Sequence, residues 1–333
     1  MKNLFLFFLF FLSAGCGEQS THIKVATYNI YWLDDGILEA RKQRLQTVIR
    51  ELDADIIGFQ EIQSRAALEN ILPEGYDIGM LDDAEELQEV ALAVRKPFVL
   101  RDVKMVFPEE VYDQGFPKKR DLLEARVEGY GHLFTVFVHH AKSRSGGRLQ
   151  TDTQREQAAE LMMRYLSSRV KHDRILVLGD FNDNPDDRSL NILEYGDAAT
   201  PGGVDNKPDT FLFNVTEDLL ARDVCSYGYN YLYEKIETPT FDPVVKGARD
   251  ENNLWRGKPH DFTNDVKIKT ILFDQILVSL NLKEYVQDVG VFDRAIAVTG
   301  ERSSVHFQGD QLVYTKRGDF ASDHVPIWAV LKF

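Results

Sequence analysis

The chain has 333 residues, 44% of them hydrophobic, which is enough for one large core or two modest domains. Lysine and arginine total 39 against 53 aspartate and glutamate residues, so the net charge is −14. A surface with this excess of negative charge repels polyanions at long range, which argues against a dedicated, tight DNA-binding protein. It does not exclude a local basic cleft, and divalent cations can offset part of the repulsion.

The first sixteen residues have the features of an export signal rather than of a folded element. Lys2 is positively charged, and residues 4–12 form an unbroken run of leucine and phenylalanine that is too short to span a bilayer. Small residues then precede Cys16, in a pattern that resembles a bacterial lipoprotein processing site. We expect Cys16 to carry the lipid and residues 17–21 to be a polar tether, with the protein exported and anchored to a bacterial membrane. An ordinary secretory signal is the alternative.

The chain has one further cysteine, Cys225. With Cys16 lipidated no intramolecular disulfide can form, so the protein must rely on its core for stability. No neighbouring residue marks Cys225 as a nucleophile, and we expect a buried thiol there.

Hydrophobic patterning predicts a series of short strands with a few helices between them. In chain order, strands are predicted at residues 22–32, 55–62, 90–94, 99–106, 122–127, 132–139, 174–178, 271–280, 286–292 and 326–333. Helices are predicted at 41–52, at a short segment that Ser64 caps and Pro73 ends, and at 151–170. Residues 183–270 are the least regular. No repeat or linker divides the chain, so we expect one domain over residues 22–333.

Polar side chains stand at the ends of two predicted strands. Gly179-Asp180-Phe181-Asn182 follows the apolar run 175–178, and Asp323-His324 precedes the closing strand. Open α/β sheets collect active-site residues at such strand ends. Because neighbouring residues of an extended chain point to opposite sides, Asp180 and Asn182 should face the same way. Carboxylate, amide and imidazole groups in one crevice can hold a metal, a phosphate and a reacting water.

Four further polar residues lie at or within predicted strands: Asn29, Glu61, His140 and Asp274. Asp274 interrupts an apolar segment, and it needs a partner because an unpaired buried carboxylate is costly. His139 and His140 face opposite ways on a strand, so only one of them can enter a cleft. Taken singly, these residues have ordinary structural explanations, such as a turn cap for Asn29 or a solvated charge for Glu61.

Six short motifs occur along the chain in a specific order. They are Ala26-Thr27-Tyr28-Asn29-Ile30, Phe59-Gln60-Glu61, His140-Ala141-Lys142-Ser143, Gly179-Asp180-Phe181-Asn182, Phe273-Asp274-Gln275-Ile276 and Ser322-Asp323-His324-Val325-Pro326. In this order they resemble the endonuclease/exonuclease/phosphatase family over residues 24–332. The resemblance implies a fold between α+β and α/β, a four-layer α-β-β-α sandwich of two packed mixed sheets flanked by helices. It also implies metal-dependent cleavage of phosphoesters.

The resemblance implies a metal site around Glu61. A hard carboxylate suits Mg²⁺, and Mn²⁺ or Ca²⁺ are alternatives. Asn29 would lie beside Glu61 and hold a water or a phosphate oxygen, and Asp323 is a second candidate around the metal. The metal would neutralise the phosphate and stabilise the leaving oxygen.

The catalytic roles that the resemblance implies fall on five residues. Asp180 would orient or deprotonate the attacking water, and Asn182 would position that water or a phosphoryl oxygen. His324 would act as base or as donor to the phosphate, with Asp274 accepting its other ring N–H. His140 would donate to a phosphate oxygen as charge builds in the transition state.

Three basic residues are candidate substrate contacts: Arg120, Lys142 and Arg144. Lys142 and Arg144 belong to a polar, glycine-containing loop directly after His140, where they could follow a phosphate backbone. Arg120 departs from the family pattern, because no proline follows it shortly. The tyrosine cluster Tyr227, Tyr229, Tyr231 and Tyr233 and the segment 255–257 could face substrate, although core packing is the commoner use of tyrosine.

Three functions remain open on the sequence. The basic loop favours a monomeric, exported phosphodiesterase that cleaves nucleic acid. A membrane anchor and an acidic surface favour a phosphomonoesterase or a phospholipid or sphingomyelin-type phosphodiesterase. A non-catalytic binding lipoprotein is the third possibility, and the presence of Glu61, Asp180, Asn182, Asp274 and His324 argues against it.

Overall fold

The computed structural model describes residues 20–83, 86–117, 120, 122–145, 148–203, 207–222, 224–228, 271–309 and 311–333. The predicted signal, Cys16, the tyrosines after Tyr227 and the segment 255–257 lie outside the described residues. Within the described ranges, no helix combines the length and apolar character that a membrane crossing requires.

Fourteen strands and six α-helices form in the described part of the chain. The strands are β1 (His22–Leu33), β2 (Ile56–Ile62), β3 (Tyr76–Gly79), β4 (Glu89–Arg95), β5 (Val99–Met105), β6 (Leu123–Gly129), β7 (His132–His140), β8 (Ile175–Asp180), β9 (Leu212–Asn214), β10 (Asp274–Ser279), β11 (Val286–Val291), β12 (Ser304–Gln308), β13 (Gln311–Lys316) and β14 (Ile327–Lys332). The helices are α1 (Glu39–Leu52), α2 (Arg65–Glu69), α3 (Arg148–Leu166), α4 (Arg188–Tyr195), α5 (Glu217–Ala221) and α6 (Ala295–Val298), with 3₁₀ turns at Glu110–Tyr112 and Leu280–Tyr285.

The strands form two six-stranded mixed sheets and one small hairpin. The first sheet has the order β11-β14-β1-β2-β4-β3, and the second has the order β5-β6-β7-β8-β10-β9. Each sheet has one parallel pair near its centre, β1 with β2 and β7 with β8, while the other pairs are antiparallel. Strands β12 and β13 pair only with each other.

The two sheets pack face to face because their strands alternate between two apolar surfaces. In β1 and β2, Val25 and Ile56 belong to the core between the sheets, whereas Ala26 and Ile57 belong to the core under α1. A third core lies between the second sheet and helices α3 and α4. The predicted four-layer sandwich is therefore confirmed. Gly58 of β2 lies where a Cβ atom would come within 3.0 Å of Leu178 Cβ, so a side chain there would push the sheets apart.

The predicted elements are present, with differences at their ends. The long helix lies at Arg148–Leu166 rather than 151–170, and the strand predicted at 271–280 spans only Asp274–Ser279. Ser64 caps α2 by accepting the N–H of Ala67, as predicted. Strands β3, β9, β12 and β13 and helices α4, α5 and α6 were not predicted. Cys225 is a buried cysteine, as predicted.

Candidate active site

Polar residues from both sheets meet at one edge of the sandwich. Glu61, His140 and Asp180 stand at or next to the carboxyl ends of β2, β7 and β8, and Asn29 lies within β1. Asp274 begins β10, which runs antiparallel to β8, so that Asp274 pairs with Asp180 in register. His140 pairs with Asp180 from the other side. Both sheets thus deliver their motif residues to the same edge.

Asn29 joins the two sheets at this edge. Its Nδ2 atom donates to Asp180 Oδ2 at 2.9 Å and to Glu61 Oε1 at 3.3 Å, and the residue is fully buried. Its Oδ1 atom accepts the N–H of Tyr31 at 3.0 Å. The predicted neighbourhood of Asn29 and Glu61 is therefore present, and Asn29 also contacts the carboxylate that was predicted to act on water.

The backbone around Glu61 adopts an uncommon conformation. Tyr31, Trp32 and Glu61 have φ angles of 54°, 54° and 62°, in the left-handed region. Such residues cost about 1–3 kcal/mol each and concentrate at functional sites. The N–H of Trp32 donates to Glu61 Oε2 at 3.1 Å, so the turn holds the carboxylate in place. The Glu61 side chain keeps 14% of its surface exposed toward the cleft.

His324 and Asp274 form a buried hydrogen-bonded pair. His324 Nδ1 lies 2.7 Å from Asp274 Oδ2, the arrangement that the resemblance implied. The hydroxyl of Ser226 accepts the N–H of Asp274 at 3.0 Å. Ser322 accepts the N–H of His324 at 3.1 Å and donates its own hydroxyl to the carbonyl of Asn29 at 2.7 Å. Backbone and side chains together fix the imidazole, whose Nε2 atom lies 3.8 Å from Asp180 Oδ2.

Burial and neighbouring charges shift the pKa values of the cluster. Burial raises the pKa of the Asp180 carboxyl to about 7. Burial alone would lower the pKa of His324, but the carboxylates of Asp274 and Asp180 raise the pKa of this imidazole to about 10. Burial, reinforced by the Asp323 carboxylate, raises the pKa of Glu61. His324 is therefore an imidazolium at neutral pH, with N–H donors on both ring nitrogens.

His140 provides a neutral imidazole beside the two carboxylates. Its Nε2 atom lies 3.8 Å from Glu61 Oε1 and 3.7 Å from Asp180 Oδ2. Burial, with the nearby charge of Arg120, holds the pKa of His140 well below its usual value. His139 points the other way and packs against the rings of Phe116 and Phe181. The choice of His140 as the residue that enters the cleft is confirmed.

Asn182 lies directly behind Asp180. Its backbone N–H donates to Asp180 Oδ1 at 2.9 Å, and its Nδ2 atom donates to the carbonyl of Ala141 at 3.2 Å. Its φ angle of 51° is left-handed, a conformation that asparagine tolerates better than most residues. Asn182 thus links the loop after β8 to the loop after β7.

Arg144 has a different environment from the one predicted. Its guanidinium is buried, donates to the carbonyl of Asn182 at 2.8 Å, and forms ion pairs with Asp183 and Asp187. It also stacks over the ring of Phe273 at 5.0 Å. A guanidinium engaged in this way holds the loops together, and its acidic partners lie about forty residues further along the chain. Because Arg144 also lines the cleft, its contact with a substrate stays a prediction.

Arg120, Lys142 and Asp323 all line the same cleft. Arg120 donates to the side chain of Gln88 and, at 3.4 Å, to the carbonyl of Ala141. Asp323 Oδ2 accepts from Arg302 at 2.6 Å, so this candidate metal ligand already has a cationic partner.

Several cleft residues were not singled out by sequence reasoning. These are Tyr31, Trp32, Arg302 and Phe307. Tyr227, a member of the tyrosine cluster that the sequence offered as a possible substrate contact, also lines the cleft, and its ring packs edge-on against His324 with centroids 4.9 Å apart. Tyr31 and Trp32 directly follow the Asn29-Ile30 motif, a position that could have marked them. Nothing in the sequence around Arg302 or Phe307 marks them.

The donor set is suited to a metal ion. Among the described residues, Asp180, Asp274 and His324 each offer a ligand atom within 4.8 Å of the others, so this group could bind a metal. However, Asp274 and His324 already satisfy one another at 2.7 Å. Glu61 instead presents a carboxylate to the cleft, and carboxylate oxygens are the ligands that hard divalent cations prefer. A cation beside Glu61 would also relieve the electrostatic cost of burying several carboxylates.

The cleft is a cavity of about 690 Å³. Its lining includes the carboxylates and imidazoles of the cluster. Tyr31, Trp32 and the β12–β13 hairpin, including Phe307, also line it. The volume can hold a phosphate together with part of the group esterified to it.

Two packed mixed sheets with a carboxylate–histidine cluster at one edge define an α+β sandwich with a candidate active site. The chain belongs to the endonuclease/exonuclease/phosphatase family, whose model matches residues 26–324. It is accordingly an enzyme of the phosphoester hydrolase class. No curated protein matches the chain in a sequence search.

Solved structures share the fold at low sequence identity. TDP2 from D. rerio, complexed with single strand DNA product, superposes with a TM-score of 0.53 at 16% identity over 93% of this chain and 98% of that chain. A mannosyl-6-phosphatase from Bacteroides thetaiotaomicron gives 0.52 at 17% identity over 92% and 98%. Another family protein from Bacteroides thetaiotaomicron gives 0.52 at 16% identity over 95% and 99%.

Proposed function

We propose that the protein is a divalent-metal-dependent phosphodiesterase that cleaves nucleic acid outside the cytoplasm. The observation that carries the proposal is the convergence of Glu61, Asp180, His140 and the His324–Asp274 pair on one open cavity. Each of these groups has a task in phosphoester hydrolysis.

The side chains divide the work of hydrolysis between them. Asp180, with a pKa of about 7, accepts a proton from the attacking water while Asn182 holds the loop that positions it. His324 donates from Nε2 to a phosphoryl oxygen as an imidazolium, and Asp274 keeps its ring oriented. His140 donates to a second phosphoryl oxygen. Mg²⁺ held by Glu61, with Asn29 and Asp323 nearby, would neutralise phosphate charge and stabilise the leaving oxygen.

The choice of a diester rests on the surroundings of the cluster. The cavity extends well beyond the volume of one phosphate, and Arg120 and Lys142 place positive charge on its walls. The similarity to a TDP2 structure that holds single strand DNA product favours nucleic acid as the substrate. The similarity to a mannosyl-6-phosphatase favours the second candidate, hydrolysis of a phosphomonoester.

We also propose that a lipid on Cys16 anchors the protein to a bacterial membrane. The proposal rests on the apolar run 4–12 followed by small residues and a cysteine. Metabolic labelling with a fatty-acid analogue would mark the wild type and not Cys16→Ser.

The reaction is tested with the purified protein, Mg²⁺ and a panel of substrates. Plasmid DNA, single-stranded RNA, bis-p-nitrophenyl phosphate, p-nitrophenyl phosphate and sphingomyelin would be compared, each with and without EDTA. We expect EDTA-sensitive cleavage of nucleic acid that is absent from Asp180→Asn. Cleavage of a monoester or a lipid alone would replace the proposed substrate class, and silence on every substrate would favour a binding protein.

A further inference from the structure

An aromatic surface forms part of the lining of the cleft. It consists of Trp32 and Phe307, which we call the aromatic wall. Their rings pack edge to face, with centroids 5.4 Å apart and planes at 72°. Phe307 nevertheless keeps 52% of its surface exposed. A large apolar ring held at the mouth of a polar cleft is a feature that a ligand can cover.

The aromatic wall is fixed relative to the catalytic cluster. The N–H of Trp32 donates to Glu61 Oε2 at 3.1 Å, and its carbonyl accepts the hydroxyl of Tyr314 on β13 at 2.8 Å. Phe307 lies on β12, the partner strand of β13 in the hairpin. The left-handed turn at Tyr31 and Trp32 therefore connects the carboxylate to the hairpin by two hydrogen bonds. The strained turn fixes the position of Trp32, and this is the function of the strain if a ligand contacts Trp32.

Cationic side chains line the cleft together with the aromatic wall. Arg302 lies over the ring of Tyr31 at 4.9 Å and donates to Asp323 at 2.6 Å, so its guanidinium is held beside an acidic partner. Arg120 and Lys142 also line the cleft. A ligand that suits this cleft has a flat face for the rings and a negative charge for the cations. An acyl chain matches neither feature, whereas a nucleotide matches both.

We propose that Trp32 and Phe307 stack on the base of the nucleotide next to the scissile phosphate in a single-stranded substrate. The base must be unstacked from its neighbours to reach an exposed ring, which a single strand permits at low cost. The inference rests on the proposed function and adds a specificity: the protein recognises a ring attached to the phosphate, without reading its sequence.

The test compares two ligands that differ only in the base, thymidine 5′-monophosphate and 2-deoxyribose 5-phosphate. Their affinities would be measured by calorimetry with Mg²⁺ in an Asp180→Asn background, so that no turnover occurs. Phe307→Ala should weaken binding of the nucleotide about tenfold and change binding of the sugar phosphate less than about twofold. Phe307→Leu keeps apolar area without the ring and should give a similar loss, whereas Phe307→Trp should restore the affinity.

Tyr130 provides a matched control. It is 53% exposed, and its ring packs on Phe98 with centroids 5.4 Å apart and planes at 78°. It precedes β7, at the end of that strand opposite to His140. Tyr130→Ala should leave both affinities unchanged. The proposal would be overturned if Phe307→Ala lost affinity equally for the two ligands, or lost none for the nucleotide. It would also be overturned if the protein with Trp32 and Phe307 intact did not bind the nucleotide more tightly than the sugar phosphate.

A separate arm distinguishes this inference from the proposed function. Wild-type protein would be assayed on a single-stranded oligonucleotide. If the oligonucleotide is cleaved and Phe307→Ala weakens the binding of both ligands equally, the stacking proposal is wrong and the proposed nuclease activity stands. Absence of cleavage together with a selective loss of nucleotide affinity supports the aromatic wall and shows that the reaction is wrong.

Discussion

His324 Nδ1 lies 2.7 Å from Asp274 Oδ2, and both side chains are buried at the edge where the two sheets meet. Burial alone would lower the pKa of His324, but the carboxylates of Asp274 and Asp180 raise this pKa to about 10. The two carboxylates therefore favour the imidazolium form of His324. Asp274 both orients the ring and keeps it charged.

Asp274→Asn should lower turnover at least about a hundredfold, because it removes the carboxylate that holds the imidazolium. The pKa of His324 should fall, since burial would then be opposed by one carboxylate fewer. NMR titration of metal-free protein would follow the ring directly. The wild-type ring should stay protonated through pH 8, and the ring in Asp274→Asn should lose its proton at lower pH. An unchanged titration in the variant would contradict the coupling.

The same pair gives a dependence of stability on pH. The folded pKa of about 10 for His324 exceeds the ordinary histidine value, so the folded state binds the proton more tightly than the unfolded state. The stabilisation is complete below about pH 6.5 and is lost as pH rises toward 10. Urea melts of wild type and His324→Gln at pH 6 and pH 9 would measure it, and we expect the larger fall with pH in the wild type.

Glu61→Gln should lower turnover at least about a hundredfold without unfolding the protein. The substitution removes the charge that suits a hard cation, while an amide oxygen can still accept from Asn29 Nδ2. Affinity for Mg²⁺, measured by calorimetry, should fall with the turnover. Glu69→Gln, at an exposed position ending α2, is the matched control and should change neither quantity. Full activity in Glu61→Gln would refute the metal assignment.

The sequence singled out most of the residues that the fold brings together at this edge, because those residues stand in short motifs at strand ends. A strand end is a local pattern, and Asp180, His140 and Asp274 each follow or begin an apolar run. The aromatic wall escaped notice because Phe307 joins Trp32 only through the fold. Its hairpin pairs two strands that are mostly exposed, so no apolar run marked it.

Helix α4 was missed for a different reason. Its middle residues are all buried, including Asn191 and Glu194, whose polar groups find partners inside the protein. Polar residues at buried positions hide the period that identifies an amphipathic helix. Arg144 shows the same limit, because its acidic partners come from a distant segment and only the folded chain brings them together.

Arg144→Ala should destabilise the protein by about 3 kcal/mol, because it takes this cationic partner from the buried carboxylate of Asp187, while Asp183 keeps Arg155 at 2.8 Å. If Arg144 instead bound substrate, its substitution would raise KM and leave Tm unchanged. Thermal melts and steady-state kinetics on the same preparation separate these outcomes. Arg144→Lys should recover little, since an ammonium cannot reproduce the fork that contacts Asn182 and Asp183. A raised KM at unchanged Tm would favour the predicted contact with substrate.

Glu89, at the start of β4, should make stability fall as pH rises from 5 to 8. Burial raises the pKa of this carboxyl to about 8, although its Oε1 atom accepts the N–H of Asp83 at 2.7 Å. A folded pKa above the ordinary value near 4.5 means that the folded state favours the protonated acid. The contribution is therefore complete below about pH 4.5 and is lost as pH rises through about 8. Glu89→Gln keeps an oxygen for the Asp83 N–H and carries no charge, so its urea midpoint should change less between pH 5 and pH 8 than that of the wild type. Glu128→Gln, an exposed control, should follow the wild type, and parallel curves for wild type and Glu89→Gln would show that Glu89 titrates as an ordinary carboxylate.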